Sequence, residues 1–124
     1  MTRYLSVQEV IVINAESVRR FGGAHGIRDA GALEAAVGRP QTGYYKDIVE
    51  EAAALFESLS QNHPFIDGNK RTAITATAVF LMTNGYTLLF DESEMYTWLM
   101  HLYETGKVSK AAMDAWLRQH CRPM

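Results

Sequence analysis

The chain has a single cysteine, Cys121, which excludes an internal disulfide framework. It lacks a long apolar run. The opening MTRYLSVQEV does not have the continuous apolar stretch of a secretory signal, and no segment approaches the roughly 18 residues of a membrane span. With six methionines and no disulfide, a reducing compartment is expected, and the cytoplasm is the expected location. Excess positive charge is also missing. A net charge of -2 leaves no broad basic footprint for nucleic acid, so any anion site has to be compact. There is no internal repeat or low-complexity tract. The 124 residues, 48% of them hydrophobic and 21% charged, suit one domain, residues 1–124, with one core.

What is present reads as helices. Ser6 and Glu9 form a capping box that opens the first helix. Val7, Val10, Ile11, Asn14 and Val18 trace its inner stripe, and Gly22 and Gly23 end it. A second, short helix starts near Asp29, carries Leu33, Ala36 and Val37, and stops at Gly38 and Pro40. GRPQTGYYKD, residues 38 to 47, has no helical period and predicts an exposed small flap. Asp47 with Glu50, and Asp91 with Glu94, are two further capping boxes. The first opens a helix with Ile48, Ala52, Leu55, Phe56 and Leu59 on one face. The second opens one with Met95, Trp98, Leu99 and Leu102 inward, ended by Gly106. KRTAITATAVFLMTNG, residues 70 to 85, is apolar nearly all round, which marks an element surrounded by others. YTLLF reads as a short extended piece. Ser109 caps a last helix with Met113, Trp116, Leu117 and His120 facing inward. The expected fold is all-α, with about six helices around the central apolar one.

The chemistry concentrates in NHPFIDGNKRTA, residues 62 to 73, which leads into that central helix. The first N–H groups of a helix lack intrahelical partners and, with the helix dipole, form an anion site. Gly68 and Asn69 readily adopt the left-handed turn of a backbone nest. Lys70 and Arg71 place two cations where a bare helix terminus disfavours them, which implies an anion absent from the sequence; a phosphate supplies it. Asp67 beside phosphate would repel it without an intervening cation, and Mg2+ takes carboxylate and phosphate oxygens together. His63, held out of helix by Pro64, offers an imidazole to accept a proton from an attacking hydroxyl. Phe65 and Ile66 are expected to plug the loop into the core.

Taken singly these parts are ordinary: a helix-end histidine, a turn, a solvated pair of cations. Together, a base, a metal ligand, a nest and two cations within nine residues meet the requirements of phosphoryl chemistry. The stretch is not a Walker A loop, which needs G-x-x-x-x-G-K-[ST] after a strand. His25, His101, His120 and Cys121 stand in no metal-ligand spacing.

HPFIDGNKRTA resembles the signature of the Fic/Doc superfamily, H-x-F-x-D/E-G/A-N-x-R, and more closely that of its Doc (death-on-curing) toxin branch. GIRDAGALEAAVGRPQ, residues 26 to 41, is also similar to that branch. The resemblance implies a Fic-type helical fold, with His63 as general base, Asp67 as Mg2+ ligand, Gly68, Asn69 and Lys70 as the anion nest and Arg71 as phosphate clamp. Two reactions compete within the superfamily. Fic adenylyltransferases, which transfer AMP to a protein hydroxyl, typically read G-N-G-R with a second arginine three residues later. Here Lys70 replaces the second glycine and Ile74 stands where that arginine would be. Both departures match the Doc toxin, which resembles a kinase that uses ATP to phosphorylate a threonine of translation elongation factor Tu. Gly68 departs the other way, since the Doc toxin has alanine there. No glutamate is followed by Gly or Asn, so the inhibitory S/T-x-x-x-E-G/N motif of self-restrained Fic proteins is missing. The resemblance then implies a small antitoxin acting in trans. Tyr44 and Tyr45 of the flap are candidates for aligning a protein substrate as an added strand. A non-catalytic binding module is the remaining alternative, and a pure binder has no need of a base.

Overall fold

The computed structural model describes all 124 residues, Met1–Met124. Six α-helices and one small sheet follow in order: α1 (Val7–Phe21), α2 (Ala30–Gly38), a 3-10 turn (Arg39–Thr42), α3 (Ile48–Gln61), α4 (Asn69–Thr83), β1 (Tyr86–Leu88), α5 (Glu92–Thr105), α6 (Lys110–His120) and β2 (Cys121–Pro123). The all-α expectation holds. The sheet is two antiparallel strands, Tyr86 facing Pro123 and Leu88 facing Cys121, which fastens the C-terminus to the end of α4.

The helix starts follow their capping residues. At α1 the box closes in both directions: Ser6 Oγ accepts from Glu9 N–H, and Glu9 accepts from Ser6 N–H. At α3 and α5 only half of each expected box forms. Asp47 accepts from Glu50 N–H and Asp91 from Glu94 N–H, but Glu50 turns to Lys46 N–H and to Lys110 Nζ. At α3 a charged partner across the fold, Lys110, engages the Glu50 carboxylate in place of the reciprocal cap bond.

The centre of the core is α3 rather than α4. Ten α3 residues are buried, against six of α4, and α3 packs against α2, α4 and α6. Its polar residues disguise it. Glu51 is buried because Tyr4 Oη donates to it at 2.9 Å, Ser58 because Arg39 donates to it, and Ser60 because its hydroxyl pairs with that of Tyr103 at 2.8 Å. Buried polar groups with partners are tolerated where unpaired ones are not. On α4, by contrast, Thr75 and Met82 remain exposed.

Phe56, Phe65 and Phe80 are fully buried anchors, each stabilising by about 1.5–3 kcal/mol on burial. Phe65 belongs to the loop between α3 and α4, so the loop is fixed to the core as expected. Ile66 is not: it is half exposed. Phe65 forms an isolated antiparallel bridge with Ile27, and successive side chains on extended backbone point to opposite sides.

The expected flap, residues 38 to 47, is mostly exposed. Arg39–Thr42 is a 3-10 turn with Pro40 buried, and Gly43 is left-handed at φ 76°. Arg39 explains this, because it bonds Tyr45 Oη, Glu57 and Ser58 at once, drawing the segment down onto α3.

Candidate functional site

The six residues singled out in the sequence, His63, Asp67, Gly68, Asn69, Lys70 and Arg71, line one cavity of about 360 Å³. Three others complete it: Ile66, and Tyr96 and Met100 from α5. Tyr96, Met100 and Tyr103 recur at four- and three-residue intervals along α5, a second helical stripe overlooked beside the inward stripe of Leu99 and Leu102. Tyr44 and Tyr45 do not line this cavity. Tyr44 is exposed, whereas Tyr45 is tied down by Arg39 and has Lys110 Nζ over its ring at 5.4 Å.

The N-terminus of α4 is open. Its cap is Gly68, left-handed at φ 79°, with no side-chain cap bond. The first main-chain donor satisfied is Thr72 N–H, to Gly68 O, so the N–H groups of Asn69, Lys70 and Arg71 have no partner in the protein. A Cβ at Gly68 would come within 3.2 Å of Asn14 Nδ2, a second reason for glycine beyond the backbone angle. The Asn69 side chain closes the loop instead: its Oδ1 accepts from Phe65 N–H at 3.0 Å and its Nδ2 donates to Phe65 O at 2.9 Å. Asn69 thus offers an anion its main chain only. Asn14, an amide in the apolar stripe of α1, buttresses the same turn by donating to Asp67 O at 2.9 Å and Thr72 Oγ1 at 3.1 Å.

Neither cation has a carboxylate. All six ion pairs lie elsewhere. Lys70 Nζ stands 4.8 Å from the centre of the Tyr103 ring, and Arg71 lies 4.2 Å from that of Phe21. Burial pushes the Tyr103 hydroxyl above its ordinary pKa, so it stays neutral while bonded to Ser60. Two cations resting on aromatic faces beside three free N–H groups are an arrangement able to hold an anion.

Asp67 does not cap α4. Its Oδ2 accepts from Ala24 N–H at 2.7 Å, and Gly23 packs so closely that a Cβ there would lie 3.0 Å from Asp67 Cβ. Oδ1 remains without a hydrogen bond, in the cavity wall. No cluster of three His, Cys, Asp or Glu side chains able to hold a metal occurs in the chain. A metal here would take one carboxylate from the protein and the rest of its shell from elsewhere.

His63 is exposed, with backbone φ 46°, the one non-glycine residue at positive φ. That conformation costs about 1–2 kcal/mol and is further limited by the proline that follows. Non-glycine strain of this kind persists where the surroundings hold it, and clusters at functional sites.

The family model described as Fic/DOC family matches residues 4–81. The chain is 45% identical over 96 residues to "Toxin Doc" of Mycolicibacterium smegmatis, covering 73% of this chain and 72% of that protein. It is 32% identical over 121 residues to "Protein kinase doc" of Escherichia phage P1, covering 94% of each.

Proposed function

The chain belongs to the Fic/DOC family, and from that premise we propose that it is the toxin of a toxin-antitoxin pair, a protein kinase that transfers the γ-phosphate of ATP to a Ser or Thr hydroxyl. The observation that carries this reading is the start of α4, which has no side-chain cap bond, with Lys70 and Arg71 free of carboxylates, in one cavity with His63 and Asp67. The names of the two relatives, a toxin and a protein kinase, agree with it. The rival reaction on the same fold, AMP transfer, is disfavoured by the lysine at position 70.

The residues then divide the work. The N–H groups of Asn69, Lys70 and Arg71, with the two cationic side chains, bind the phosphate oxygens and hold the transferred group in line. His63 takes the proton from the attacking hydroxyl. That oxygen bonds to the γ-phosphorus, the bond to the β–γ bridging oxygen breaks, and ADP leaves. Asp67 would hold Mg2+, which suits a single carboxylate sharing an ion with phosphate and water; when bound, Mg2+ neutralises phosphate charge. Tyr44, exposed on the flap, is the proposed contact for a protein substrate. Elongation factor Tu is the proposed target and a small antitoxin the proposed inhibitor, both in the cytoplasm.

Expression of the chain alone tests this. It should arrest growth, and His63→Ala should abolish the arrest with the fold intact, because loss of a general base lowers rate by about 10²–10⁴-fold. A folded His63→Ala protein as toxic as the parent would contradict the reading.

A further inference from the structure

We propose that Arg28, in the linker between α1 and α2, is the positioning residue for His63; the proposal rests on His63 being the base. Arg28 Nε donates to His63 O at 2.6 Å and its Nη2 to Asn62 O at 2.8 Å. The main chain continues the pattern: Arg28 N–H and Asp29 N–H both donate to Pro64 O, at 2.8 and 3.1 Å. Three successive carbonyls, 62 to 64, are thus held from one short segment.

The chemistry suits this task. α3 ends at Gln61 with Asn62 as its C-cap, so the Asn62 carbonyl stands at the negative end of the helix, where a cation is favoured and where acceptors lack helical donors. The guanidinium fork reaches two adjacent acceptors at fixed separation, which a lysine ammonium does not. Arg28 takes part in none of the ion pairs, so its donors serve these carbonyls instead of a carboxylate. No hydrogen bond holds the His63 imidazole, so what the loop fixes is the direction of its Cα–Cβ bond, through a backbone at φ 46°, and the groups that hold that backbone position the base. Asp67 is held by a different donor of the same linker, Ala24 N–H. Removing the Arg28 side chain therefore disturbs the base while leaving the phosphate-binding residues 68 to 71 in place.

The test combines kinetics with a readout of His63 itself. In Arg28→Ala, kcat for transfer to the protein target should fall about 10²-fold, the scale of a misplaced catalytic group, while KM for ATP stays within about twofold. Added methylguanidine should restore part of the rate, and Arg28→Lys should lie between Ala and the parent. In NMR spectra the His63 imidazole signal, identified by its loss in His63→Ala, should shift or broaden in Arg28→Ala, with those of His25, His101 and His120 unmoved. Unchanged kcat with an unchanged His63 signal would overturn the proposal. So would a fall in kcat matched by a rise in KM and a general loss of thermal stability, without rescue by methylguanidine. If the parent protein transfers no phosphate, the kinase reading fails, and the His63 signal still decides whether Arg28 positions that residue. Should Arg28→Ala not fold, the same comparison between Arg28→Lys and the parent decides it.

Discussion

The guanidinium of Arg71 lies over the ring of Phe21, its central carbon 4.2 Å from the ring centre. The last residue of α1 thereby sets the direction of a cation on the first turn of α4, fifty positions away in the sequence. Phe21 is more than half exposed, so the contact with Arg71 stays open to solvent. An exposed cation–π contact is worth about 0.5–1 kcal/mol. Phe21→Leu, which keeps bulk but loses the π face, should lower kcat/KM for ATP by about two- to fivefold, with the thermal midpoint falling by no more than about 5 °C. Steady-state kinetics and a melting curve check it.

Asp67 separates stability from activity. Asp67→Asn retains a side-chain oxygen to accept from Ala24 N–H, and Gly68 rather than residue 67 caps α4. Thermal midpoint should change by no more than about 2 °C, well under 1 kcal/mol for a domain of this size, while ATP-dependent transfer collapses. A variant that melts many degrees lower and stays active would assign Asp67 to structure alone.

Gly68 carries the reverse expectation. Its φ is 79°, and an added Cβ would meet Asn14 Nδ2 at 3.2 Å, so Gly68→Ala should destabilise by about 1–2 kcal/mol. That is a fall in midpoint of roughly 3–8 °C, read by differential scanning calorimetry. Because the nest uses main-chain N–H groups, transfer at temperatures well below the midpoint should persist.

The fold's acid sensitivity has a named contributor. Arg118 bonds Asp47 through two nitrogens, at 2.7 and 2.9 Å, and holds its carboxyl below the ordinary carboxylate range. A depressed folded pKa adds stability above the unfolded value, near 4, and that stability is lost as pH falls through the folded value. Since both side chains are more than a third exposed, the pair contributes only about 0.2–1 kcal/mol. Arg118→Met should melt slightly below the parent at pH 7, and the difference should close below about pH 4. Midpoints recorded across pH 3–8 test this.

Much of the site was legible because its requirements are local. His63 to Arg71 span one loop and the first turn that follows it, and a helix start carrying two cations can be read from residue order alone. What escaped depends on distant partners. Arg28 carries no sign in the sequence that its donors meet carbonyls at 62 and 63. Tyr96 and Met100 reach the cavity only because α5 lies beside it. In the fold, the Ser6 box could be read, but the half-formed boxes at Asp47 and Asp91 could not be told from it. Glu51, Ser58 and Ser60 hid the centrality of α3, since their partners, Tyr4, Arg39 and Tyr103, come from three other segments. The pairing of Tyr86–Leu88 with Cys121–Pro123 joins three-residue pieces too short for any period to register.

The central claim, that this site moves the γ-phosphate, is tested most directly by label. Lys70 occupies the nest where a glycine would leave bare backbone for a deeply seated distal phosphate, and its ammonium is held over Tyr103. On the proposed reading, a side chain and a charge at that point favour the pose with the γ-phosphorus facing His63, and the same base would act on whichever phosphorus is in line. The unmodified protein, given its protein target and ATP labelled at either position, should transfer label from the γ-phosphate and none from the α-phosphate. Lys70→Gly should lower the γ-transfer. Transfer of α-label by the unmodified protein would contradict the account and make the protein an adenylyltransferase.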